Sequence, residues 1–518
     1  MTIKLVSKSI IKMKMPNNDE KFPSLGKKGV GNIAYNSMSY LRIPLYNNFL
    51  ILYVFLVLLA SCSKQSVETG TEKVDLPKEV FLKKDALLSV LDDSLITEGY
   101  FNKFSFDQDE RASIYLNAKT ARENANLGIY DIEGNLVDYF TATISPQAGN
   151  QDKSYENGYG YKSSGYYGVP QNLKSGVYFV GKKIPFLVKN SVNLKSKILI
   201  VYPSNTDIAY NLQGGKSYYH PTVASRARTL SILRPWSLEQ SFAEPFYIWL
   251  LHSSYKADFI SDVEMDDYAN IKDYKLIIIP GHSEYWTRSA RTNFDRFNDE
   301  GNDILLLSGN TMWWQVRYNE DKTQMTCYKY DVQNDAEPNT LLKTGCWDDI
   351  SLHFPLLSSL GSTFRFGGRM NTSAGSFGGY KISKPNSPLF KGTNLKFGDL
   401  LTFSCHELDG TPVKFRIINE ITKDSIPEFD NSTAAFYKSE VIGYEFVVAD
   451  DYPQSKATNV SAFNLIQKKS SSGRIINFES TDWCKNAFSS TNPTSKNAIV
   501  ITTNAINLLL LKQNIFTD

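Results

Sequence analysis

The sequence predicts an α/β chain with an N-terminal β-sandwich over 105–192, followed by a doubly wound, mostly parallel sheet over 193–518. Three observations predict it. Between 105 and 192, apolar residues alternate with polar ones and Gly-containing turns separate the runs. From 197 the apolar runs become continuous, as in strands buried on both faces. Those runs alternate with helical stretches, the pattern of βαβ units.

In the sandwich region, Ala112-Ser-Ile-Tyr-Leu116 alternates, and Leu127–Ile132 and Leu136–Phe140 flank the turn Glu133-Gly-Asn. Ser175–Val180 and Pro185–Lys189 close the set. The continuous runs are Ile198–Tyr202, Leu276–Ile279 and Asp303–Leu307, with a short strand expected at Ala257–Ser261. Helices are expected at Phe242–Ser253 and Arg288–Glu300, the second placing Ala290, Phe294 and Phe297 on one side. A β-rich insertion is expected at about 320–470. The chain then returns to the sheet through Gly473-Arg-Ile-Ile-Asn-Phe478 and a last helix at about 495–511.

The first 61 residues read as a targeting segment. Phe49–Ala60 is apolar and uncharged but shorter than the roughly 20 residues a spanning helix needs. It ends in Leu59-Ala60-Ser61-Cys62, which matches the lipobox of bacterial lipoprotein signals, with Cys62 as the lipidated residue. Met38, followed by Arg42, begins an n-region of ordinary length, so 1–37 is open to being untranslated. Residues 62–104 are expected to be a polar tether (Ser63–Glu72) and a short helix beginning at Lys84. The expected location is the cell envelope, lipid-anchored on its periplasmic or cell-surface side.

Composition narrows the function. Hydrophobic residues at 42% support real cores. A net charge of +2, from 56 basic and 54 acidic residues, gives no nucleic-acid footprint. The 30 tyrosines are a rich supply for cores, ligand contacts and phenolate chemistry. Of the five cysteines, Cys327 and Cys346 flank one segment and are the candidate disulfide pair, since export permits disulfides.

Ligands of open α/β sheets bind beyond the carboxyl ends of the strands. Three segments should meet there: the long loop from Pro203 to Tyr219, Gly281-His-Ser-Glu-Tyr-Trp286, and Ser308-Gly-Asn-Thr-Met-Trp-Trp314. His282 and Glu284 lie two apart, so an extended strand end turns both to one side. Together they can bind a metal or move protons; spacing alone favours hydrogen bonding to neighbouring loops. Nucleophile signatures are missing. There is no G-x-S-x-G elbow, P-loop or dinucleotide fingerprint. A glutamine-amidotransferase layout wants a Cys where Asn310 stands, and Cys484 has no nearby His in sequence.

Taken in order, Tyr202–Tyr219, Leu233-Arg-Pro235, Gly281–Trp286, Ser308–Trp314 and Gly473–Asn477 with Thr481-Asp-Trp483 resemble the large-subunit family of N,N-dimethylformamidase, over roughly 105–511. The resemblance implies a sheet laid out like the class I glutamine amidotransferases. It also implies one iron per chain, ferric, held by two tyrosines and a glutamate. Carried over, the ligands are Tyr210, Tyr219 and Glu284, with His282 and Glu284 as catalytic groups. Tyr218 competes with Tyr219 for its position. Ferric iron is hard and suits anionic oxygen donors. The implied activity is hydrolysis of a small linear amide, in a homo-oligomer or with a separate small subunit. The other reading is a non-catalytic carbohydrate- or peptide-binding lipoprotein on the same scaffold. Arg234, Arg317 and the loop Tyr155–Tyr161 are read either as pocket-shaping residues or as packing.

Overall fold

The computed structural model describes residues 90–190, 195–222, 224–238, 242–369, 378–447 and 459–517, which fall in one compact unit. The targeting segment, Cys62, the tether and nearly all of the helix expected from Lys84 lie outside the described residues. Among the described residues no helix is long and apolar enough to cross a membrane.

The N-terminal region pairs a three-stranded sheet (Ile96–Phe101, Arg111–Ala118, Gly165–Gly168) with a five-stranded one. In Arg111–Ala118 the residues Ala112, Ile114, Leu116 and Ala118 are buried while their neighbours are not, as the alternation requires. The expected hairpin forms between Arg122–Asp131 and Leu136–Ile144, with Gly134 at φ 79° in its turn. One strand was not expected. Ile96–Phe101 falls in the stretch assigned to tether, because a register shift between Ile96 and Glu98 breaks its alternation.

The second region is a nine-stranded mixed sheet. Its strands are β1 (Ile198–Tyr202), β2 (Ala257–Ser261), β3 (Leu276–His282), β4 (Asp303–Gly309), β5 (Tyr380–Ile382), β6 (Leu400–Leu401), β7 (Lys438–Val447), β8 (Asn459–Gln467) and β9 (Arg474–Asn477). They lie in the order β2-β1-β3-β4-β9-β8-β7-β5-β6. From β2 to β9 the neighbours are parallel; from β9 to β6 they are antiparallel. The sheet is therefore not mostly parallel. The region read as an insertion extends it: β7 and β8 form a hairpin that pairs with β9 and covers what would otherwise be a bare edge.

Four helices matter here: α1 (Ser204–Tyr210), α2 (Glu244–His252), α3 (Arg288–Asp299) and α4 (Ser495–Leu510). In α3 the expected Ala290, Phe294 and Phe297 are buried, and Thr287 caps its start by accepting the Ala290 N–H. Helix α1 corrects the expectation of a long irregular loop after β1. Its residues Ser204–Ala209 are all buried, so no polar face marks it. Its polar side chains are instead tied inward, Ser204 to Asp262 (2.5 Å) and Asn205 Nδ2 to the Tyr285 carbonyl (3.0 Å).

Cys327 and Cys346 are separate, buried free thiols, not a disulfide. Each is held in the core by its own main-chain contact: the Cys327 N–H donates to the Arg228 carbonyl, and Cys346 forms an isolated β-bridge with Trp314.

Candidate functional site

The five parallel strands follow the order β2-β1-β3-β4-β9, and their direction of winding reverses between β1 and β3. Such a reversal opens a crevice at the carboxyl ends. Tyr210 and Tyr219 follow β1, His282 ends β3 and Glu284 lies just beyond it. Gly281, at φ 72°, turns the end of β3. A small sheet formed by Thr229–Ser231, Gln324–Thr326, Trp314–Tyr318 and Tyr285–Thr287 carries Tyr285 and Trp314, and leads to Lys329.

Glu284 is the centre. Its Oε1 accepts from the Tyr219 hydroxyl (2.8 Å) and from Trp314 Nε1 (2.7 Å). Its Oε2 accepts from the Tyr210 hydroxyl (3.0 Å). The two tyrosine rings stack at 4.2 Å. Tyr219 is 38% exposed as a residue, but its hydroxyl end reaches the buried carboxylate. Tyr218 points elsewhere: its hydroxyl donates to the Met325 carbonyl at 2.6 Å. The alternative raised for Tyr218 therefore has no counterpart in the geometry around Glu284.

His282 Nε2 lies 3.4 Å from Glu284 and 3.2 Å from Glu407, yet neither ring nitrogen completes a hydrogen bond of good geometry. Burial alone would favour the neutral imidazole; the two carboxylates reverse this and hold it charged. For Glu284, burial opposes ionisation, but the His282 and Lys329 charges and the Tyr219 hydroxyl keep the carboxylate ionised. Burial pushes Tyr210 and Tyr219 far above the ordinary phenol range, and the Glu284 charge adds to it. Without a cation both phenols are neutral donors.

The residues present fit the implied ion. The Tyr210 and Tyr219 hydroxyls lie 3.0 and 3.1 Å from the same carboxylate oxygen, Glu284 Oε2. Adjacent oxygens around a small octahedral ion, with metal–oxygen distances of about 2.0–2.1 Å as for Mg2+, lie close to that spacing. The set is all oxygen, and each phenol spends its hydrogen on the carboxylate. Among the described residues no group of three His, Cys, Asp or Glu side chains is arranged to hold a metal; the donors here are mainly phenols.

Sequence reasoning missed several neighbours. Glu407, from the added half of the chain, meets His282 and accepts from Asn310 Nδ2 (2.9 Å). Lys329 is buried, donates to the Tyr285 hydroxyl (2.9 Å) and lies 3.4 Å over the Tyr219 ring. Burial lowers its pKa to about 8, against the pull of Glu284. Asn310, Tyr285 and Trp314 stand within motifs already singled out, but Glu407 and Lys329 have no local signature.

The remaining candidates are scaffold. Arg234 is fully buried and donates to the carbonyls of Ser231, Ile208, Asn211, Gln213 and Lys216, which fixes the loop between Tyr210 and Tyr219. Arg317 pairs with Asp335 through both guanidinium nitrogens (3.1 and 3.0 Å). In the Tyr155–Tyr161 loop, the Tyr159 hydroxyl donates to Gln213 (2.8 Å), so this loop buttresses the tyrosine loop. Cys484 is buried, and burial raises its thiol pKa far above the usual range.

Solved structures similar to this chain include the following two. One is a ThuA-like protein from Bacteroides uniformis, at 13% identity and TM-score 0.30, covering 63% of this chain and 96% of its own. The other is Gan42B, a GH42 beta-galactosidase, at 10% identity and TM-score 0.28, covering 62% of this chain and 31% of its own. Likeness this low carries no functional argument. No curated protein matches the sequence. Residues 140–488 match the family described as N,N-dimethylformamidase beta subunit-like, C-terminal, which spans the sheet, both tyrosines, His282, Glu284 and Glu407. The chain belongs to the N,N-dimethylformamidase beta subunit-like family.

Proposed function

We propose that this chain is an iron-dependent hydrolase of small linear amides, exported and lipid-anchored through Cys62, with a sheet laid out like the class I glutamine amidotransferases. The parallel order β2-β1-β3-β4-β9 supports that layout. One observation carries the hydrolase reading: two phenols from the β1 loop and a carboxylate from the β3 loop converge within hydrogen-bond distance of one another. A binding protein has no need of that donor set beside a charged histidine.

Tyr210, Tyr219 and Glu284 would hold the ion, which when bound polarises an amide carbonyl and acidifies water. His282 and Glu407 do the proton work. Glu407 is the more exposed carboxylate (16% against 2% for Glu284) and would take a proton from water, its Oε2 meeting His282 and Asn310. His282 Nε2, charged between the two carboxylates, is placed to give one to the departing amine. Trp314 orients Glu284 and closes one side of the crevice.

Iron analysis and visible absorbance of the purified protein test the reading. The expected result is one iron per chain with a tyrosinate charge-transfer colour, lost in Glu284→Gln. A colourless protein that takes up neither ferrous nor ferric iron would overturn it and leave the non-catalytic reading. The anchor is tested separately: fatty-acid labelling of cells should mark the chain, and Cys62→Ser should abolish it.

A further inference from the structure

Next to the site the chain builds a second histidine pair that amide hydrolysis leaves unused. His406 and Glu407 are neighbours whose side chains part. Glu407 turns toward His282, and His406 turns toward Asp482. His406 Nδ1 lies 2.9 and 3.0 Å from the two Asp482 oxygens, and its main-chain N–H donates to the same carboxylate at 2.8 Å. The Thr481 hydroxyl (2.7 Å) and Asn486 Nδ2 (2.9 Å) complete the shell of Asp482, which is fully buried. A carboxylate so fully engaged orients the imidazole and leaves Nε2 as the nitrogen free to meet a ligand. The His406 side chain is 41% exposed. The Asp482 hydrogen bond raises its pKa above the ordinary histidine range; burial and Lys485 act against this.

Phe242 joins this pair to the proposed centre. Its ring stacks on His282 at 5.7 Å and lies 5.4 Å from His406, with the Lys485 ammonium 4.2 Å over it. Among the described residues Lys485 has no ion-pair partner. The edge of the crevice thus carries His406 and Lys485 beside two carboxylates: Asp482, whose hydrogen-bonding capacity is already used, and Glu407, which turns to His282 and Asn310. Asn486 and Ser404 continue outward into a polar groove of about 390 Å³ with Thr402, Ser489 and Asn492.

We propose that His406 and Lys485 recognise an anionic group, so that the substrate class is a small amide bearing a carboxylate, with Phe242 packed against the carbons that link the two. The amide half of this statement rests on the hydrolase reading; the carboxylate half rests on the rim alone. A ligand lying along Phe242 would meet the Lys485 ammonium and the His406 imidazole that Asp482 orients, and a charge-assisted contact of this kind discriminates against a neutral analogue of the same shape.

The test uses N-acetylglycine and its neutral amide, N-acetylglycinamide, titrated calorimetrically into the iron-loaded protein, with hydrolysis followed in parallel. N-acetylglycine should bind at least about tenfold more tightly. Lys485→Met and His406→Gln should each remove most of that preference while leaving affinity for the neutral amide unchanged. Lys485 is partly exposed, so its variant keeps the test open should His406→Gln fail to fold. Equal binding of the two probes, no binding of either, or variants that weaken both alike would overturn the proposal. Preferential binding of the anion without hydrolysis of either probe would support the rim assignment and count against the hydrolase reading, so the two failures are distinguishable.

Discussion

Arg234 and His282 are both buried ionisable groups, one tying down the loop between Tyr210 and Tyr219 and the other 5.5 Å from the Tyr210 ring, and they are treated in opposite ways. Among the described residues Arg234 has no carboxylate partner, yet its guanidinium donates to five main-chain carbonyls. His282 has two carboxylates within 3.4 Å and no well-formed hydrogen bond at either ring nitrogen. Burying a polar group without partners is costly, so a fold keeps it only where something else is gained. The difference separates residues that hold the loop from residues left with bonding capacity for a ligand or a proton. The same contrast divides adjacent tyrosines: Tyr218 is committed to a main-chain carbonyl, and Tyr219 to the charged centre.

The largest effect that would break this comparison is expected at Arg234. Arg234→Met strips the donors from five carbonyls and should destabilise the fold by about 3–5 kcal/mol, read by denaturant unfolding. Full stability would mean that the guanidinium does not organise the loop. A smaller pair of effects sharpens the contrast. Tyr218→Phe should cost about 1–3 kcal/mol of stability, because the Met325 carbonyl loses its buried donor. Its iron content should be unchanged. Tyr219→Phe should weaken iron retention and shift the visible band, with less effect on unfolding. If the two variants exchange these phenotypes, the assignment of Tyr219 to the centre is wrong.

The legible part of the fold was the part governed by local pattern. Continuous runs such as Leu276–Ile279 and the amphipathic face of α3 state their burial directly in sequence. The strand Ile96–Phe101 escaped because a bulge breaks its alternation. Helix α1 escaped because it is buried all round and carries polar residues. At the site, spacing at a strand end turned His282 and Glu284 to one side but favoured hydrogen bonding to neighbouring loops, and their proposed roles, like those of the tyrosines, came from resemblance. Glu407 was not legible, since 123 residues separate it from Glu284 and no motif marks it.

By itself, then, the sequence determined the strand and helix runs, the family, and the set of residues able to supply phenolate, carboxylate and imidazole chemistry. Those depend on side-chain chemistry and on periodicity, which operate over a few residues. Only the tertiary structure decided which tyrosine faces Glu284, that the second half of the chain extends the sheet antiparallel, and that Glu407 and His406 reach the crevice. These outcomes depend on strand pairing and packing between residues far apart in the chain, and no local pattern encodes them.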